Sequence, residues 1–207
     1  IRLAIPNIIS NLTVPLLSSV DTALVGHLDQ IFYLGAIAIG GMIFNFIYWG
    51  FGFLRMGTTG LTAQAFGENN HDECLRILIR ALLVGGVSSI CLLLSQKGIA
   101  AISFFFVDTT DQVEHYAKIY FNIRILSAPA TLSIYALSGW FLGMQNAKYP
   151  MIIAILTNSL NILFNLYFIK IMGMNVDGVA WGTVCANYLG LIYTIYLFFK
   201  SDGKLKL

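Results

Sequence analysis

The chain has 207 residues, of which 57% are hydrophobic and 11% are charged. In soluble domains about 45–50% of the residues are hydrophobic and about 25% are charged. So few charged side chains cannot cover a water-facing surface, so the composition excludes a soluble domain and indicates an integral membrane protein. Lys and Arg number 12 and Asp and Glu number 10, which leaves no basic face to bind nucleic acid.

Apolar stretches long enough to cross a bilayer, which takes about 20 helical residues, occur six times. They lie at residues 3–25, 31–66, 77–106, 115–142, 150–172 and 178–199. The connections between them are short, and no internal linker separates them. We therefore predict an all-α protein in which residues 1–207 form one six-helix transmembrane bundle.

The first stretch contains Asp21, the one acidic residue well inside an apolar segment. A carboxylate at bilayer depth is costly and typically handles ions or protons. Asp21 lies about 27 Å along the helix from Leu3, so an acid at the membrane interface is the alternative. Pro6 and Pro15 precede it in the same stretch and predict kinks in this helix.

The second stretch, residues 31–66, is too long for one straight crossing and is rich in glycine, which predicts a tilted or bent helix. Arg55 lies within it. Structural pairing, or an extended side chain that reaches the interface, is favoured for Arg55 over contact with a substrate. In the fourth stretch, Pro129 predicts a local opening of the helix.

The fifth stretch carries three asparagines, Asn158, Asn161 and Asn165, at spacings that place them on one helix face. Amides at this depth must point into the bundle. The spacing alone does not decide between two roles for these amides, namely hydrogen bonds that join helices and an ion-binding site.

The sixth stretch has a small residue at every fourth position, namely Gly178, Gly182, Ala186 and Gly190. This pattern predicts close approach of a neighbouring helix. Thr183 and Asn187 each follow a member of this ladder by one residue and could reach the asparagine face of the fifth helix.

Motifs of enzymes are absent: there is no H-E-x-x-H, no G-x-x-x-x-G-K-[ST] and no G-x-S-x-G. We therefore expect no catalytic residue. The histidines and cysteines are far apart along the chain, which argues against a metal site or a disulfide framework. No cofactor is expected beyond a coupling ion.

The Lys and Arg residues near the ends of the stretches predict the orientation. With the N-terminus in the cytosol, seven fall on the inner side and four on the outer side. The outer four include Lys118 and Arg124. This excess predicts that both ends of the chain are cytosolic.

Five segments, in order, resemble the multidrug and toxic-compound extrusion (MATE) family, and within it the DinF branch. They are PNIISNLTVPLLSSVDTALVGHL, GFLRMGTTGLTAQAFG, ALSGWFLGMQNAKYPMI, NSLNILFNLYFI and GVAWGTVCANYLG. Members of this family have twelve helices in two six-helix lobes. The resemblance implies that this chain is the N-terminal lobe and that its C-terminal lobe, a partner of this one, lies outside the sequence.

The resemblance also implies a site for the coupling cation. The family's first-helix aspartate falls on Asp21, its fifth-helix asparagine on Asn161, and its sixth-helix threonine on Thr183. Asn165 stands where many relatives have a second carboxylate. The site then has one negative charge fewer to hold sodium, which favours a proton as the coupling ion. Asn158, Asn187 and Arg55 are expected to be accessory polar residues.

The implied function is antiport across the bacterial cytoplasmic membrane, in which entry of protons, or alternatively sodium, drives export of bulky, often cationic, organic compounds. Small organic molecules, membrane lipid and the second lobe are the expected partners. Two alternatives stay open. One is a flippase of the same superfamily for lipid-linked saccharides, which would carry basic residues along its cavity. The other is a membrane scaffold assembled through the Gly178–Gly190 face.

Overall fold

The structure, a computed structural model, describes residues 30–107 and 109–202, and every regular element in these ranges is helical. Five of the six predicted crossings fall within them. Their helical segments are long and apolar enough to span a membrane: Ile31–Gly67, His71–Leu94, Asp111–Gly143, Lys148–Ile171 and Val176–Lys200. The first predicted helix, with Pro6, Pro15 and Asp21, lies outside the described residues.

The first described crossing is bent, as its glycine content predicts. Helices α1 (Ile31–Gly50) and α2 (Gly52–Gly67) meet at Phe51, whose φ of −89° and ψ of 4° interrupt the helical backbone. The 37 residues of this crossing would extend about 55 Å as one helix, well beyond a hydrocarbon core of about 30 Å. The glycines on both sides of Phe51 weaken the helix at the point where it breaks.

The third predicted crossing, 77–106, differs from the structure at both ends. Helix α3 (His71–Leu94) begins six residues earlier, because Oδ1 of Asn70 accepts a hydrogen bond from the Glu73 amide at 3.1 Å and caps the helix. The acidic residues of its first turn favour a helix start there. At the other end, the backbone breaks at Ser95, and a separate helix α4 (Gln96–Phe105) follows.

The fourth crossing contains the local opening expected at Pro129. Helix α5 (Asp111–Arg124) ends in a 3₁₀ turn (Ile125–Ser127) that leads into helix α6 (Ala128–Gly143). Pro129 has no N–H with which to bond the Ile125 carbonyl, and the Ala128 amide donates to that carbonyl instead. Arg124 lies within this crossing, Asp111–Gly143, and not at its end.

The last two crossings pack closely against each other. Helix α7 (Lys148–Leu166) ends in a π turn (Tyr167–Ile171) and is followed by helix α8 (Val176–Asp202). A Cβ atom on Gly182 would lie 2.0 Å from Oδ1 of Asn165, and one on Gly190 would lie 2.3 Å from Oγ1 of Thr157. The predicted packing role of the small-residue ladder is confirmed.

Helix α6 lies at the centre of the described bundle and packs against α2, α3 and α8. Its contact with α2 depends on a second pair of glycines four residues apart. A Cβ atom on Gly139 would lie 2.6 Å from the carbonyl oxygen of Arg55, and one on Gly143 would lie 2.5 Å from Cβ of Thr62. The indole nitrogen of Trp140 then ties α6 to α3 by donating to the Cys74 carbonyl at 2.9 Å.

Candidate functional site

Three of the four residues expected to bind the coupling cation are joined by hydrogen bonds. The side-chain amide of Asn161 donates to Oγ1 of Thr183 at 3.0 Å, and the amide of Asn165 donates to Oδ1 of Asn161 at 3.2 Å. The Thr183 hydroxyl donates in turn to the Val179 carbonyl at 3.1 Å. We call Asn165, Asn161 and Thr183, which connect α7 to α8, the polar chain.

The polar chain is positioned by local sequence. Asn161 and Asn165 are four residues apart, so both project from one face of α7. That face meets α8 at Gly182, where the absence of a side chain leaves room for the Asn165 amide. Asn161 is 6% exposed and Asn165 is 1% exposed, so both amides are removed from surrounding solvent and lipid.

A cavity of about 1300 Å³ adjoins the polar chain, and Asn161 and Thr183 form part of its wall. The three residues predicted as accessory polar groups, Asn158, Asn187 and Arg55, line the same cavity. Structural pairing, or an extended side chain that reaches the interface, was favoured for Arg55 on the sequence. No described carboxylate forms an ion pair with it, and it lines the cavity.

The remaining wall includes five aromatic residues and one further cationic group. The aromatic lining residues are Tyr48, Trp49, Phe53, Tyr120 and Tyr135. The cationic group is Arg124, whose guanidinium lies 4.9 Å from the Phe44 ring centroid and 5.4 Å from that of Tyr120. The sequence analysis missed Arg124 as a cavity residue. Its position deep within the apolar stretch 115–142, like that of Arg55 in 31–66, was the available signal.

Comparison with known proteins identifies the family. The family model named MatE matches residues 6–167. The chain belongs to the MatE family. It is 41% identical over 191 residues to DNA damage-inducible protein F of Escherichia coli, an alignment that covers 92% of this chain and 42% of that protein. It is 26% identical to the probable multidrug resistance protein NorM of Thermotoga maritima, over 98% of this chain and 44% of that protein.

Solved transporters share the fold. An outward-facing multidrug resistance MATE transporter of the MOP superfamily superposes with a TM-score of 0.88 at 22% identity, covering 97% of this chain and 45% of that one. A MOP superfamily transporter from Pyrococcus furiosus superposes with a TM-score of 0.88 at 21% identity, covering 96% of this chain and 44% of that one. That transporter is described as having a binding pocket of reverse polarity. The chain spans less than half the length of these proteins. It corresponds to one lobe of a MATE transporter, within a multi-pass membrane protein.

The hydrogen bond between α7 and α8 can be measured with a double-mutant cycle of Asn161→Ala and Thr183→Val in the intact protein. We expect a coupling free energy of about 0.6 kcal/mol, and at most about 1.7 kcal/mol, as is usual for hydrogen bonds between transmembrane helices. The measurement is reversible unfolding in mixed micelles.

The control pairs Asn158→Ala with Thr183→Val. Asn158 lies on the same side of α7, but its buried Nδ2 has no described hydrogen-bond partner. We expect these two changes to be additive within about 0.5 kcal/mol. A coupling between Asn161 and Thr183 no larger than that of the control pair would mean that their contact stabilises nothing.

Proposed function

We propose that this chain is one lobe of a secondary transporter that exports bulky organic compounds in exchange for an inward-moving cation. The observation that carries the proposal is the polar chain, of which Asn161 and Thr183 line a cavity of about 1300 Å³ within a MatE-family fold. Sites for drug-sized ligands have volumes of roughly 300–1,000 Å³, so the cavity is large enough for such a compound. The second lobe would supply the opposite wall.

The coupling site in this proposal consists of Asp21 and the polar chain. The amide and hydroxyl oxygens can accept a hydrogen bond from a protonated group or coordinate a cation, and Asp21 supplies the negative charge. Because Asn165 is neutral, one carboxylate acts alone, and this favours a proton over sodium. Entry of the cation would neutralise Asp21, rearrange the first helix at Pro6 and Pro15, and change the cavity so that substrate leaves outward.

The rival functions fare differently. The scaffold alternative has less support, because Gly182 and Gly190 pack against α7, and Gly178 packs against Phe168 and Met174, within the lobe. The flippase proposal gains one observation, because Arg124 joins Arg55 in the cavity wall. A flippase would move a lipid-linked saccharide without exporting soluble dyes. Dye efflux from cells, with and without a proton uncoupler, therefore distinguishes the two transport functions.

We further propose a bacterial cytoplasmic-membrane location with both chain ends in the cytosol. With Arg124 placed inside a crossing, the outer side retains three of its four basic residues against seven inside. Asn69 and Asn175 then lie on opposite sides. In a background without native cysteines, a membrane-impermeant maleimide added to whole cells should label Asn175→Cys and not Asn69→Cys. The reverse labelling would invert the topology.

The coupling role of Asp21 is tested with Asp21→Asn, which mimics a permanently protonated carboxyl. We expect an intact, membrane-inserted protein that no longer exports dye in response to a proton gradient. Asn165→Asp, which restores the second carboxylate, should make efflux more dependent on sodium. The measurements are drug resistance and dye efflux in cells that express the intact variants at matched levels.

The matched control is Asp72→Asn, which removes an exposed carboxylate at the start of α3. Efflux by this variant should equal that of the parent. If Asp21→Asn exports as well as Asp72→Asn does, then Asp21 has no part in coupling and is an interfacial acid.

A further inference from the structure

The described wall of the cavity is positively charged. Two guanidinium groups, those of Arg55 and Arg124, line it, and the described lining includes no carboxylate. On the helices that contribute lining residues, the described acidic side chains lie in the first turns of α5 and α8. Cations within a membrane are costly unless an anion or other polar partner compensates them. Apart from Asp21, which the proposed function places at the polar chain, the described wall offers these two cations no counter-ion, so the wall is suited to a ligand that brings negative charge.

Arg124 is held in place with donors still available. Its guanidinium is stacked against the rings of Phe44 and Tyr120, and one terminal nitrogen donates to the Tyr120 hydroxyl at 2.6 Å. Its Nε is buried and has no hydrogen-bond partner among the described residues. A guanidinium has five N–H donors in a planar fork that matches carboxylate and phosphate oxygens. The aromatic contacts fix the direction of this fork at little entropic cost on binding.

Arg55 lines the same cavity from another helix, α2. It lies four residues after the break at Phe51, and Thr59 fixes its backbone by donating to the Arg55 carbonyl at 2.8 Å. Tyr135, on α6, also lines the cavity, and its ring centroid lies 6.4 Å from that of Tyr48. Next to it, the hydroxyls of Tyr48 and Ser127 are 3.3 Å apart.

We propose that this wall binds the oxyanion of an amphipathic organic anion, that is, a carboxylate, sulfonate or phosphate attached to a flat apolar body. The two guanidinium groups would hold the oxyanion. The aromatic lining residues would contact the apolar body. This inference rests on the proposed transport function and specifies its substrate class, which differs from the cationic compounds that the family resemblance implies.

The test is equilibrium binding of two dyes that share one ring system but differ in charge. The intact protein in nanodiscs is titrated with fluorescein, which is anionic, and with rhodamine 123, which is cationic, and anisotropy is recorded. Fluorescein should bind more tightly. Arg55→Gln and Arg124→Gln should each weaken fluorescein binding by about tenfold or more, as expected for loss of a charge-assisted hydrogen bond, and should not weaken rhodamine binding.

The controls separate charge from folding. Arg80→Gln removes an exposed arginine that bonds Glu73 at 2.9 Å and does not line the cavity, so it should leave fluorescein binding unchanged. Arg55→Lys, which keeps the charge, should retain more affinity than Arg55→Gln. Because Arg124 packs against two rings, Arg55→Gln decides the outcome if Arg124→Gln fails to fold.

A competition arm distinguishes the source of the oxyanion. If farnesyl phosphate displaces fluorescein, the wall also binds lipid phosphates, as a flippase would require. If it does not, the ligands of the wall are limited to small organic anions. Tighter binding of rhodamine 123, or unchanged fluorescein affinity in Arg55→Gln, would overturn the inference. The binding assay needs no ion gradient. A parent protein that binds fluorescein but shows no cation-coupled export would therefore contradict the transport proposal and not this one.

Discussion

The close contact of α7 with α8 is the interaction on which the rest of the described site depends. Within a bilayer, apolar side chains gain little by leaving lipid for another helix, so association relies on close packing and on hydrogen bonds between helices. Gly182 and Gly190 allow α7 to approach, and the approach brings Asn161 within 3.0 Å of Thr183. The same contact buries Asn165 against Gly182. Packing and polar chemistry therefore share one set of residues.

The residues at two interruptions of the helices also line the cavity. The break at Phe51 lies between two glycines of the cavity wall, and the 3₁₀ turn before Pro129 lies beside Arg124 and Ser127, which also line the cavity. Irregular backbone is tolerated at membrane depth where it is covered by protein or borders a polar cavity. The breaks direct polar and charged groups inward while the intact helical faces meet lipid.

Patterns with a helical period were informative in the sequence. The spacing of Asn161, Asn165 and Thr183 predicted their meeting, and the four-residue ladder predicted the packing of α8. Two features were missed. The break at Ser95 has no proline or glycine beside it. The depth of Arg124 in the apolar stretch 115–142 was a signal, but its contact with Phe44, which lies on a different helix, leaves no local trace in the sequence.

The central claim is that the close contact of α7 with α8 positions the polar chain. Cation-driven transport by Gly182→Ala tests this claim most directly, because the change leaves every polar group of the polar chain present. Its Cβ would lie 2.0 Å from Oδ1 of Asn165, so the amide must move. Gly86→Ala, where a Cβ meets nothing within 4 Å, is the matched control. In proteoliposomes with an imposed pH gradient, the intact folded Gly182→Ala protein should lose most coupled export while Gly86→Ala keeps it. Equal export by both variants would contradict the account.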